Sequence, residues 1–351
     1  LFILYTYNGK WRELKKFLVI IGSLFLISGC SKTDNIINKG KDKEPVKKLQ
    51  IVDESSKSRS YAVMINNNHR AWPHAGLQES IVNYEIITEG GITRFLAVYK
   101  DNIPEQIGSV RSSRPYFLDY ALENDAIYIH WGGSDLAYSD MSKLDIDHID
   151  GIRYEGSYFF RDRSLHRAYE HTGFTRGSMI KEGATALGFR TESDKGNLLN
   201  YSVDDIDLSK YEGTIKADNV EIEYSSYQTT SYKYDEENKV YLRSMCDEAH
   251  VDLVTGKQYT AKNIITYQVK NRSYDDYGRQ ELDNIGSGEG YYISEGYATP
   301  ITWEKTCRSC KTIYKYSDGK ELKVNDGNTW IQIQPVGKVL DITSNNTETE
   351  E

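Results

Sequence analysis

From Asp218 onward the chain breaks into short strand-like runs, and this texture constrains the fold more than any other feature. The runs are Val220 to Tyr224, Ser231 to Tyr234, Val240 to Arg243, Ile264 to Lys270, Gly290 to Ser294, Ile301 to Glu304, Thr312 to Tyr316 and Trp330 to Gln334. Turn signals separate them, at Asp235-Glu236-Glu237-Asn238, Val254-Thr255-Gly256-Lys257, Asp318-Gly319 and Asn325-Asp326-Gly327-Asn328. Short β-branched and aromatic runs bounded by turns build sheets. Residues 215–341 are therefore expected to form a mainly β C-terminal domain, with 342–351 as a polar, acidic, frayed tail.

The preceding stretch has another rhythm. Tyr61 to Ile65 and Ile92 to Tyr99 read as buried strands, Leu77 to Ile87 as a helix or a helix running into a strand, Pro115 to Glu123 as a helix opened by its proline, and Ala126 to His130 as a further buried strand. Alternation of this kind predicts a mixed α/β-type N-terminal domain over 59–205. The whole is expected to be α+β, each domain long enough to bury its own core.

The first thirty residues carry an address. Lys10, Arg12, Lys15 and Lys16 precede the apolar run Phe17 to Leu26, which is too short for a stable membrane anchor, and Leu26-Ile27-Ser28-Gly29-Cys30 places small residues before a cysteine. This pattern resembles a bacterial lipoprotein signal. It predicts removal of 1–29, lipidation of Cys30 and attachment to a cell membrane with the body on the extracytoplasmic side, since two or more acyl chains anchor a protein stably. Residues 30–58, mixed lysine, acid and asparagine without apolar periodicity, are expected to be a disordered tether.

Composition narrows the partners. The 351 residues carry a formal charge of −9, which becomes −12 once residues 1–29, with four basic residues and Glu13, are set aside. Nucleic acid is a poor partner for such a body. The 28 tyrosines fit either the codon bias of a low-GC genome or a sugar-stacking surface. Apart from Cys30, the cysteines are Cys246, Cys307 and Cys310. The pair in Cys307-Arg308-Ser309-Cys310 is expected to form a local disulfide, with free thiols as the alternative, because no second cysteine or histidine pair completes a zinc shell. No motif calls for a cofactor.

Polar clusters supply the site candidates. Glu89-Gly90-Gly91-Ile92-Thr93-Arg94 and Gly108-Ser109-Val110-Arg111-Ser112-Ser113-Arg114 gather three arginines around short loops. Arginine forks bind carboxylates and phosphates bidentately, so an anionic ligand fits Arg94, Arg111 and Arg114; the competing reading is internal pairing with Glu85, Glu89 or Glu105. His130-Trp131-Gly132-Gly133-Ser134-Asp135 ends a buried strand, where α/β sheets place ligands. There His130 is a candidate acid or base oriented by Asp135, against a purely hydrogen-bonded structural role. His166 and His171 stand five apart, off one helical face, which argues against a zinc helix. Gly286-Ser287-Gly288-Glu289-Gly290 reads as a flexible hairpin turn, since a strand rather than a helix follows it.

With these residues in view, the chain resembles the YerB-like lipoproteins, a bacterial family of two domains without an established activity. The carriers are Glu89 to Phe95, Gly108 to Arg114, the strand ending His130-Trp131-Gly132-Gly133-Ser134, and Asn325-Asp326-Gly327-Asn328-Thr329-Trp330-Ile331. Departures occur at Trp72, where the family has arginine after Ala71, and at Tyr169-Glu170-His171, near an expected Pro-His-Asn. The resemblance implies an extracytoplasmic lipoprotein with an α/β-type first domain and a β-rich second one, and it implies no reaction. The residues point to binding of an anionic or saccharide envelope ligand, or of an envelope partner protein, by Glu89, Arg94, Arg111, Arg114, His130 and Asp135. The rival is a hydrolase working through His130 and Asp135.

Overall fold

The computed structural model describes residues 47–345. The expected signal, Cys30, the tether as far as residue 46 and the tail beyond residue 345 lie outside the described residues. The N-terminal half supplies strands β1 (Tyr61–Asn66), β2 (Val82–Ile87), β3 (Thr93–Tyr99), β4 (Ile127–His130) and β5 (His148–Asp150), with helices α1 (Pro115–Glu123), α2 (Asp135–Lys143) and α3 (Gly177–Ala186). The C-terminal half supplies β6 (Asn219–Ser225), β7 (Gln228–Asp235), β8 (Val240–Met245), β9 (Asn263–Val269), β10 (Gly286–Ser294), β11 (Tyr297–Lys305), β12 (Thr329–Pro335) and β13 (Leu340–Thr343). The fold is α+β, with the helices in the first half and strands dominating the second.

The two halves share one sheet. Among the described residues an 11-stranded sheet runs β11-β10-β9-β12-β2-β3-β1-β4-β5 across its middle. The late strand β12 enters between β9 and β2, parallel to both, with Gln332 opposite Thr266 on one side and Glu85 on the other. Separate cores, expected for two domains, are therefore not what the chain builds. One face of the sheet buries Met64, Tyr84, Leu96 and Ile331 against Phe117, Leu118 and Ala121 of α1. The other buries Ile65, Phe95, Ile129 and Trp330 against Ile180 and Ala184 of α3 and against Val220, Ile222 and Tyr241 of a second sheet, ordered β8-β7-β6-β13. A sheet covered on both faces loses the alternation of buried and exposed positions, and β1 to β3 are buried along their whole length.

Local chemistry sets the element ends. Pro115 opens α1, where its fixed φ suits the first turn and its missing N–H is no loss. The Ser134 side chain accepts from Ala137 N to cap α2. Four expectations are corrected, the first being the frayed tail over 342–351, since Ile342 and Thr343 belong to β13 and pair with Val220 and Asn219 of β6. Leu77 to Ile81 form no helix: the Ser80 hydroxyl and the Asn83 amide both donate to Leu77 O, at 2.8 and 3.1 Å, holding a turn that leads straight into β2. The helical spacing there belongs to a central strand with both faces buried. Gly286 to Gly290 are not a turn but the start of β10, and the turn lies at Glu295-Gly296. A Cβ on Gly290 would come within 2.3 Å of Thr266 O, and one on Gly288 within 2.8 Å of Trp303 Nε1, so these glycines serve close approach. Residues 47–58, assigned to the tether, lie on the body: Gln50 and Ile51 donate their N–H groups to Asp326 at 2.7 and 3.0 Å, and Val52 is buried.

Candidate functional site

The parallel strands β1, β2, β4 and β5 deliver their C-terminal ends to one edge of the sheet, and the antiparallel β3 begins there. The polar clusters singled out in the sequence therefore converge on neighbouring loops. They do not form the open pocket those residues promised. Glu89 sits between Arg94, at 2.6 Å, and Arg114, whose Nε lies 3.0 Å from its second oxygen. The Nη1 groups of Arg94 and Arg114 donate to Ser112 O and Ser113 O, each at 2.7 Å, while the buried Arg94 Nε has no partner. The side chains of Arg94 and Arg114 are only 3% and 8% exposed, and that of Glu89 is 12% exposed, so this triad is closed to a ligand. Burial raises the Glu89 carboxyl, but Arg94 and Arg114 outweigh it and hold the group down to about 2. Burial pulls Arg94 down to about 10 against the attraction of Glu89. The internal pairing reading wins for these three residues.

His130 is likewise occupied. Its Nδ1–H donates to Gly132 O at 2.8 Å, which leaves Nε2 to accept from His148 Nδ1–H at 2.9 Å. Burial, opposed in part by Asp150, lowers its pKa to about 4, so the ring is neutral at pH 7. The carboxylate beside it is Asp150, 4.0 Å from Nδ1, and not Asp135. Asp135 stands exposed in the first turn of α2, where a carboxylate complements the helix dipole. Asp150 itself accepts from Tyr138 Oη at 2.6 Å and from the N–H groups of Gly132 and Ile152. Burial raises its pKa, but His130 and the Tyr138 bond leave it below the ordinary value.

Two arrangements were missed from sequence. The first is a buried chain across the interface of the two sheets. Arg243, on the inward face of β8, donates to Glu85 of β2 at 2.6 Å and to His250 Nδ1. His250 Nε2–H then donates to His74 Nδ1 at 2.7 Å, and His74 Nε2–H to Asn66 O at 2.7 Å. The Arg243 and Glu85 side chains are both 0% exposed. Burial lowers the pKa of His74 to about 3 and that of His250 well below normal, which keeps both rings neutral. A signal was present: in Tyr241-Leu242-Arg243-Ser244-Met245 the charge falls on the alternation that carries Tyr241 and Met245 inward.

The second is a set of arginines without carboxylate partners, around His171. Asn66 Nδ2 donates to His171 Nδ1 at 2.8 Å. Arg167 donates to Ala71 O and Pro73 O at 2.7 and 3.0 Å, Arg111 reaches Glu170 O at 3.4 Å, and the exposed Arg70 lies next to Ala71. Burial lowers the His171 pKa; Glu170 opposes this, while Arg111, Arg167 and Arg70 add to it. Of the residues expected to contact a ligand, only Arg111 belongs to this open group. Elsewhere, Cys307 and Cys310 are joined, with an S–S distance of 2.07 Å, around Arg308, which reaches Asp140 at 2.7 Å and also pairs with Asp119. Cys246 is a free thiol. Among the described residues no group of His, Cys, Asp or Glu is placed to hold a metal, and no helix is long and apolar enough to cross a membrane.

The α+β body gathers its polar loops at one end of the central sheet. The chain belongs to the family described as protein of unknown function (DUF3048), matching its N-terminal domain over residues 48–190 and its C-terminal domain over 220–331. It is 29% identical over 315 residues to "Putative lipoprotein YerB" of Bacillus subtilis (strain 168), covering 89% of this chain and 92% of that protein. The crystal structure of the YerB protein from Bacillus subtilis is similar in fold, with a TM-score of 0.71 and 28% identity over 81% of this chain and 94% of that one. The family resemblance read from the motifs and the α+β class are both borne out.

Proposed function

We propose that this protein is an extracytoplasmic lipoprotein, anchored through Cys30, whose body binds an anionic polymer of the cell envelope through Arg70, Arg111 and Arg167. The observation that carries the reading is that these three guanidinium groups flank the loops around His171, and none forms an ion pair among the described residues. In an acidic body, unpaired arginines gathered on neighbouring loops favour phosphate or carboxylate ligands. The lipobox pattern and the similarity to a protein named as a lipoprotein support the anchor. The hydrolase alternative draws no support from His130, because both of its ring nitrogens are engaged and Asp135 stands away from it.

The test uses the compact body Lys47–Glu351 and poly(glycerol phosphate), with dextran as the uncharged comparison. Binding is expected for the anionic polymer and should weaken steeply with salt. Arg111→Ala should weaken it by roughly tenfold, the loss of one charge-assisted contact of ~1.5 kcal/mol. Equal affinity of Arg111→Ala and Arg167→Ala with the parent protein would remove the proposal.

A further inference from the structure

A groove of 420 Å³ lies over β9, β10, β11 and β12, on the face turned toward the second sheet, with Leu340 of β13 on its opposite side. Its floor includes two buried polar side chains with unused bonding capacity. Gln334 spends its Nε2 on Glu223 O and Val339 O, each at 2.9 Å, and its Oε1 has no partner. Thr266 is 0% exposed, and its hydroxyl has no partner either. Gln332, opposite Thr266 in the parallel ladder, accepts from Tyr224 at 3.1 Å and leaves Nε2 unbonded. Buried polar groups are nearly always paired, so three orphans in adjacent positions of one sheet face call for an explanation. None of them is explained by the arginine group, which lies on other loops.

The lining also excludes ligand classes. It holds no arginine, lysine or histidine to neutralise an anion, and its one carboxylate, Glu289, is exposed. Half-buried Tyr291, opposite Thr266, and Pro300 beside it offer flat apolar faces. A peptide adding as a strand needs a free backbone edge. None is present in this floor, because β9 is paired by β10 and β12, and β10 by β9 and β11; β13, which ends the second sheet, is represented in the lining by Leu340 alone. What remains is a neutral molecule with hydroxyl donors and acceptors on its rim and C–H faces above and below. We propose that this groove is a binding site for an uncharged saccharide unit, stacked on Tyr291 and hydrogen-bonded by Thr266 and Gln334.

Thr266→Val separates this role from a structural one. The substitution keeps the side-chain shape and deletes a hydroxyl that makes no bond in the free protein, so stability should stay level or rise. Chitotetraose and maltotetraose serve as probes against the body Lys47–Glu351, read by calorimetry and saturation-transfer NMR. Saturable binding of at least one of them is expected, weakened roughly tenfold in Thr266→Val and more in Tyr291→Ala. Arg111→Ala should leave it untouched, so failure of the anion site and failure of this one are read separately. Absence of binding by both sugars at millimolar concentration overturns the assignment. So does undiminished affinity in Thr266→Val, or saturation by an uncharged Gly-Ser peptide in their place.

Discussion

Arg243→Met should be among the most destabilising single changes in the body, for a reason visible in its surroundings. Arg243 is fully enclosed, 2.6 Å from an equally enclosed Glu85, and its guanidinium lies 4.3 Å from the Trp330 ring centroid and 5.1 Å from that of Phe95. Methionine fills much of the volume but strands the carboxylate. Glu85 keeps the Thr93 hydroxyl at 2.7 Å and the Thr230 hydroxyl at 3.1 Å, and loses its one counter-charge among the described residues. Breaking a buried pair from one side costs about 3–5 kcal/mol, because the surviving charge stays desolvated and uncompensated. Removing both charges in Glu85→Gln/Arg243→Met takes that penalty away. The double variant should thus lie well above the sum of the singles, with a coupling of about 2 kcal/mol or more. Urea unfolding of Lys47–Glu351 measures this, and the shared sheet predicts one transition with a common m-value in which β12 cannot leave without β2 and β9. Single-variant losses that add within about 0.5 kcal/mol would refute the argument, since the two side chains would then not be acting as a pair.

Other perturbations follow from the same physical reasoning. His74 and His130 have folded pKa values of about 3 and about 4, below the unfolded value of about 6.5, so their neutral forms stabilise the fold fully above that value. As pH falls below about 6.5 the unfolded chain takes up protons that the fold refuses, and stability should drop by up to about 1.4 kcal/mol per pH unit per histidine until the folded values are reached; a melting temperature level from pH 7.5 to 5 would contradict this. Asp326→Ala removes the acceptor of the Gln50 and Ile51 N–H groups, and hydrogen exchange at those two amides should accelerate by about tenfold, with little change in global stability. Gly290→Ala places a Cβ 2.3 Å from the Thr266 carbonyl in the middle of a paired strand, and should cost about 1–3 kcal/mol in thermal unfolding; a neutral result would mean that β9 and β10 part more readily than their ladder implies.

Much of the secondary structure could be read from the chain because it is locally encoded. Pro115 announced α1 to the residue, and each short run named after Asp218 matches a strand to within a residue or a few at its ends. The errors share a cause. Leu77 to Ile87 was ambiguous because a strand covered on both faces loses the period of two that distinguishes it from a helix. The glycines of Gly286 to Gly290 looked like a turn because their function, letting Trp303 and the Thr266 carbonyl come close, involves residues remote in sequence. The insertion of β12 between β9 and β2 pairs residues more than 200 positions apart, and nothing in residues 329–335 names the neighbour on either side.

The candidate site repeats this division. Arg94, Arg111, Arg114 and Glu89 could be grouped from sequence, since short loops at one end of a sheet bring them together. Which arginine stays open could not. That depends on the reach of one carboxylate: Glu89 satisfies Arg94 and Arg114 at once, and Arg111, two residues from the well-covered Ser113, falls outside its grasp. The other two arginines that act on His171 come from residues 70 and 167, on loops remote from Arg111 in sequence. Burial also inverts the meaning of the histidines. His130 looked like a titrating group at a strand end, yet a ring whose Nδ1–H is held by Gly132 O and whose Nε2 is held by His148 has nothing left for a substrate, and its neutrality is the condition of its burial. Of the polar residues proposed to meet a ligand, Arg70, Arg111 and Arg167 lie on loops without a carboxylate partner, and Thr266 and Gln334 each keep an unbonded oxygen at the groove.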